Sequence, residues 1–220
     1  MTNQLWWYVA RAGGLLAYAL LAVGVIWGLL LSSRLFGKRP RPAWLLDLHR
    51  FLGGLAVVFV AVHVGAILLD TYVPFSPVQV LVPFTSSWHP DAVAWGIVGL
   101  YLLAAVELTS LLRSHLPLRL WRKVHYLSFP LFLVTTVHTL TAGTDRTSPV
   151  LLVAVFATCG LVALLAALRL RPHEPTPVQR PAPPRPVTPP APTRRPVRVT
   201  LDAEPRPRVP RPARARTRIG

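Results

Sequence analysis

The chain has 220 residues, 52% of them hydrophobic and only 15% charged, with a mean hydropathy of +0.45, whereas a soluble domain carries about a quarter charged residues. A net charge of +16 and 24 prolines fit no single folded body, so the averages come from two unlike parts. A soluble α/β enzyme, a disulfide-stapled secreted domain and a zinc module are all disfavoured. The lone cysteine, Cys159, lies in an apolar run and can neither form an internal bridge nor build a thiolate cluster.

In chain order, the start MTNQLWWYVARAGG lacks the basic n-region and small-residue cleavage site of a signal peptide, so the first apolar run is read as structure. Five segments have the roughly 20 apolar residues needed to cross a hydrocarbon core of about 30 Å. They cover residues 13–32, 44–69, 93–112, 120–140 and 150–168. The predicted fold class is therefore all-α, an integral membrane bundle of five transmembrane helices over residues 1–171. The loop after the first segment carries Arg34, Lys38, Arg39 and Arg41, and the loop after the third carries Arg113, Arg119, Arg122 and Lys123. The other two loops hold Asp70, Asp91 and Asp145 with one base, Arg146. Short basic loops stay in the cytoplasm, which predicts an outer N-terminus and a cytoplasmic C-terminus in the plasma membrane. Trp6, Trp7, Trp44, Trp88, Trp95 and Trp121 sit near the segment ends, where interfacial aromatic belts form.

Residues 172–220 complete the chain with 15 of the prolines and 11 arginines against three acids, Glu174, Asp202 and Glu204. Such a composition cannot bury enough apolar surface to offset the entropy of ordering. A stiff, disordered, partly polyproline cytoplasmic tail is expected. Its arginines suit anionic lipid head groups or a donor protein, its prolines weakly suit groove-binding domains, and a solvated extension with no dedicated partner is the plainer reading. No aromatic stacking residue supports nucleic-acid binding.

The chemistry lies in the histidines. His89, His115 and His173 fall in loops or tail and read as solvated side chains. His49 and His63 lie in the second segment, and His125 and His138 in the fourth. Ionisable residues inside a membrane are costly and face the bundle interior for a reason. Fourteen residues part His49 from His63, which is about 21 Å along one helix face with roughly 40° of residual rotation. The two segments run the same way, so His49 would stand opposite His125 near the cytoplasm and His63 opposite His138 near the outside. Each pair could supply both axial ligands of one haem iron, held between facing helices of a bundle. The spacing of 13 between His125 and His138 leaves a mismatch of roughly 140° on a straight helix; Pro130 lies between them and should kink it.

Other residues have two readings each. Arg50, Arg122 and Lys123 flank the inner pair and could meet haem propionates, or are simply positive-inside charge. Gly53, Gly54 and Gly65 could make room for a flat macrocycle, though glycine is common in membrane helices. Glu107 could pair with a loop arginine, the favoured reading, or serve a proton path. Gly24 and Gly28 match a close-packing motif that supports no dimer by itself. Phe59 and Phe132 could lie between two haems or face lipid.

These residues resemble the ferric reductase-like transmembrane domain family in its bacterial branch. The likeness rests on the paired histidine spacings and on RAGGLLAYALLAVGVIWGLLLSSR, LHRFLGGLAVVFVAVHVGAILLD, VPFTSSWHP and WRKVHYLSFPLFLVTTVHTLTAGTD, covering about residues 5–170. The family includes ferric reductases, the membrane part of NADPH oxidases, and haem subunits serving periplasmic methionine sulfoxide reductase. The resemblance implies two stacked b-type haems carrying electrons to the outer face, His49 and His125 on the inner iron and His63 and His138 on the outer. Residues 172–220 show no phosphate loop or strand pattern that would replace the flavin and nicotinamide domains of complete reductases. The donor is then expected to be a flavin-containing reductase or a quinol, and whether the chain is an enzyme alone stays open. The outer loop DTYVPFSPVQVLVPFTSSWHPD shows no metal cage, so the acceptor is not named by the sequence. Two other readings compete: a non-redox membrane scaffold or transporter with structural histidines, and a quinol-linked haem subunit for a periplasmic reductase.

Overall fold

The computed structural model describes residues 4–33 and 42–170. Arg34, Lys38, Arg39, Arg41, His173 and the tail segment 172–220 lie outside the described residues. Among the described residues all elements are helical: α1 Leu5–Ser32, α2 Ala43–Leu69, α3 Pro77–Leu81, α4 Pro90–Leu111, a 3-10 turn Arg113–His115, α5 Leu118–His125, α6 Ser128–Ala142 and α7 Pro149–Leu170. Four of them, α1, α2, α4 and α7, are 22 to 28 residues long with mean hydropathies between 1.8 and 2.7, enough to cross a membrane. The chain is a multi-pass membrane protein.

The expected fourth segment, 120–140, is not one helix. It is built from α5 and α6, joined at Tyr126 and Leu127. The cause is local. Pro130 has no N–H to give the Tyr126 carbonyl, and that carbonyl accepts instead from the Phe129 N–H at 3.2 Å. Leu127 N–H likewise reaches only three residues back, to Val124 at 2.9 Å. Two such bonds tighten the chain into a 3-10 step and rewind it between His125 and His138. That step replaces the straight-helix phase on which the mismatch was reckoned.

Small residues fill many of the buried positions of α1 and α2, while many large apolar side chains point outward. Buried positions of α1 include Ala10, Gly13, Ala17 and Ala22, and those of α2 are Ala56 and Ala66. Val150, Val153, Phe156 and Leu164 of α7 are more than half exposed. Lipid solvates such a face, and small residues let backbones approach closely. Leu21, Ala22 and Leu29 of α1 meet Leu103 of α4, Leu131 and Phe132 of α6, and Val162 and Leu165 of α7 in one apolar cluster. Tyr18 stacks on Phe132 at 6.2 Å and its hydroxyl lies 3.1 Å from the Thr136 hydroxyl. Phe132 is thus a core residue and does not face lipid.

Short devices set the helix starts. The predicted loop after α2 contains α3, opened by a capping box in which Ser76 and Gln79 serve each other's backbone N–H groups. Proline opens α3, α4 and α7, where its missing N–H costs nothing. At this same end of the bundle, Arg11 of α1 grips Asp145 after α6 with two bonds, Nε to Oδ2 at 2.6 Å and a second from its terminal nitrogen to Oδ1. A bidentate pair of this kind, about two-thirds shielded at Arg11 and more at Asp145, is worth about 1 kcal/mol. Arg11→Ala should therefore lower the thermal unfolding midpoint in detergent, and Arg11→Lys should recover only part of it because an ammonium cannot make both bonds.

Candidate functional site

The four membrane histidines meet in two pairs. His49 of α2 faces His125, the last residue of α5, with ring centroids 6.0 Å apart and planes at 77°. His63 of α2 faces His138 of α6 at 6.3 Å and 76°. The pairs follow the same order on both strands of the arrangement, so α2 and the α5–α6 segment run in one direction.

Carbonyls from two further helices orient the second pair. His63 Nδ1 lies 2.6 Å from the Ala10 carbonyl of α1, and His138 Nδ1 lies 2.8 Å from the Ala92 carbonyl of α4. A carbonyl only accepts, so each ring carries its proton on Nδ1 and keeps Nε2 as a free lone pair. This is how metal-binding imidazoles are ordinarily steered. In the first pair, Nδ1 of His49 and of His125 are buried without a hydrogen bond, the Gly24 carbonyl lying near His49 without completing one.

Glycines make the space for these rings. A Cβ on Gly96 would lie 2.6 Å from His138 Cε1, one on Gly14 2.9 Å from His63 Nδ1, and one on Gly28 3.2 Å from His49 Cε1. The glycines singled out in α2 behave differently. Gly54 and Gly65 meet no protein atom within 4 Å, and Gly53 faces the Glu107 carboxylate. The expected pairing of Glu107 with a loop arginine is not found among the described residues; its carboxylate lies in the notch at Gly53 instead. Gly28 of the close-packing motif serves His49, whereas Gly24 has open space.

Arg50 pairs with Asp47 at 3.3 Å on an exposed face, and Arg122 and Lys123 are exposed. Trp121 stacks on His125 with centroids 5.1 Å apart and planes at 23°, a contact the sequence signals only by their spacing of four within α5. A cavity of about 270 Å³ lies beside the second pair, its lining including Gly14, His63, Gly96 and His138 together with Arg11 and Asp145. No group of three or more metal-ligating side chains occurs among the described residues. The donor set is paired imidazole.

Apolar crossing helices with two facing histidine pairs between them define a multi-pass, all-α membrane protein built around buried imidazoles. Residues 13–136 match the model of the ferric reductase like transmembrane component, and the chain belongs to that family. Membership implies a role in membrane electron transfer, and the family typically binds haem. No curated protein and no solved structure matches the chain. The matched stretch contains His49, His63 and His125 and ends two residues before His138, which geometry alone joins to the others.

The ring spacing offers a test of fit to that cofactor. A metal–imidazole bond of about 2 Å, with roughly 1.1 Å from nitrogen to ring centre on each side, puts two ligating rings about 6.2 Å apart. Both pairs, at 6.0 and 6.3 Å, match that span. The free Nε2 lone pairs of His63 and His138 and the unpartnered imidazoles of the first pair fit as well.

Proposed function

We propose that this chain is a transmembrane dihaem b-type cytochrome, a five-span protein that passes electrons from a cytoplasmic donor to an acceptor on the outer face. His49 and His125 would hold the inner haem and His63 and His138 the outer one. The observation that carries the reading is the pair of histidine couples, each at the spacing of two imidazoles sharing one metal. Haem bound there supplies reversible one-electron exchange at a potential tuned by its surroundings.

The chain's own residues do the rest. Ala10 and Ala92 fix the tautomers of the outer pair through their carbonyls. Gly14, Gly28 and Gly96 leave room for the rings, and apolar walls keep water away from the site. Helix α6 has 15 residues, about 22 Å of rise, and with α5 it makes the remaining crossing. Arg113, Arg119, Arg122 and Lys123 at one end, against Asp70, Asp91 and Asp145 at the other, favour an outer N-terminus and a cytoplasmic C-terminus. A flavin-containing reductase or a quinol would be the donor, residues 1–171 the membrane domain, the segment 172–220 a cytoplasmic arm, and the chain the electron-transfer part of an oxidoreductase.

Purified wild-type protein should give two haems per chain in a pyridine haemochrome assay, with a Soret band that shifts on reduction. A preparation made with ample haem supply that shows neither rejects the proposal and leaves a scaffold or transporter with structural histidines. Reduction by a flavin reductase against reduction by quinol then separates the two donors.

A further inference from the structure

The two histidine pairs are held by different devices. Backbone carbonyls steer His63 and His138, whereas Nδ1 of His125 is buried with no acceptor. Trp121 touches that ring instead, stacked at 5.1 Å and 23°. The two residues are four apart on α5, so one covers the other on a single helix face. The Arg113 guanidinium also lies over the indole, 4.7 Å from a Trp121 ring centroid. The indole Nε1 is itself buried without a partner. Trp121 is therefore held by its ring, in contact with both an imidazole and a cation.

We propose that Trp121 is a positioning residue for His125, holding by stacking the plane of a ring that no carbonyl steers, and that Arg113 sets the charge beside it. This rests on the haem reading above. A fixed positive charge close to a redox centre favours the reduced, less positive state, and an indole lid excludes the water that favours the oxidised state. Both residues should therefore raise the potential of the inner site and leave the outer site untouched.

The test is an optical redox titration of the purified, haem-loaded full chain, with electron paramagnetic resonance of the ferric form. The inner component is assigned as the one that survives in His63→Ala. Trp121→Leu and Arg113→Gln should each lower its reduction equilibrium constant by about threefold or more, ~28 mV for one electron. Trp121→Phe should restore most of the shift, and the inner ferric signal should broaden only in the leucine variant. An unmoved inner component, an equal shift of both components, or a phenylalanine variant as impaired as the leucine one overturns the assignment. Where Trp121→Leu fails to accumulate, Arg113→Gln decides alone, since Arg113 lies in the 3-10 turn outside the bundle core. A wild type without haem overturns the parent reading; a normal wild type with unmoved variants overturns this one only.

Discussion

The His63→Ala protein should bind one haem per chain instead of two, losing the outer component and keeping the inner. The His63 and His138 ring centroids lie 6.3 Å apart, so removing His63 would take away one of the two imidazoles proposed to hold the outer haem and leave the Ala10 carbonyl without its imidazole donor. Loss of an outer-shell partner alone costs about 10–100-fold in metal affinity, and loss of a ligand should exceed that. The inner pair lies 14 residues back along α2, about 21 Å away, and shares no contact with the deletion. Pyridine haemochrome stoichiometry with redox titration reads the result directly. His49→Ala should give the mirror outcome, with the inner component missing. Equal retention of both haems in either variant would detach these histidines from the cofactor.

Gly96→Ala should resemble His63→Ala although it removes no ligand. The new methyl carbon would stand 2.6 Å from Cε1, 2.8 Å from Nδ1 and 3.0 Å from Nε2 of His138. An imidazole cannot yield at one atom only, because the ring moves as a plate. It is also tethered one turn away on the same helix, by the Ala92 carbonyl at 2.8 Å. Making room therefore means breaking that bond, turning the ring, or pushing α4 from α6. Outer haem content should fall by at least half while the protein still accumulates. Gly160→Ala is the control, since its added carbon meets nothing within 4 Å and alanine favours a helix by about 1 kcal/mol; both haems should remain. Full outer occupancy in Gly96→Ala would show that the ring has a second place to go.

The histidines were legible because imidazole is conspicuous in an apolar helix, and their order along two co-directional segments was enough to pair them. Hydropathy could not show the break at Tyr126 and Leu127, because a 3-10 step changes hydrogen-bond partners without changing composition. Pro130 carried that information, and its consequence is local enough to read. Gly14 and Gly96 were hidden for another reason. Each serves a ring on a different helix, and no one-dimensional spacing encodes a contact across helices. The same holds for Arg11 and Asp145, 134 positions apart. Glu107 misled because charge complementarity suggested a basic partner, where the fold supplies a backbone notch at Gly53.

The outer cradle draws on four separate helices: the Ala10 carbonyl from α1, His63 from α2, the Ala92 carbonyl from α4 and His138 from α6. A nascent chain leaving the ribosome has no finished receptacle until the last of these is in the bilayer. If this cradle holds a haem as proposed, its loading must then follow insertion of most of the polypeptide. Products truncated before α6 would be left with imidazoles whose lone pairs have nothing to share.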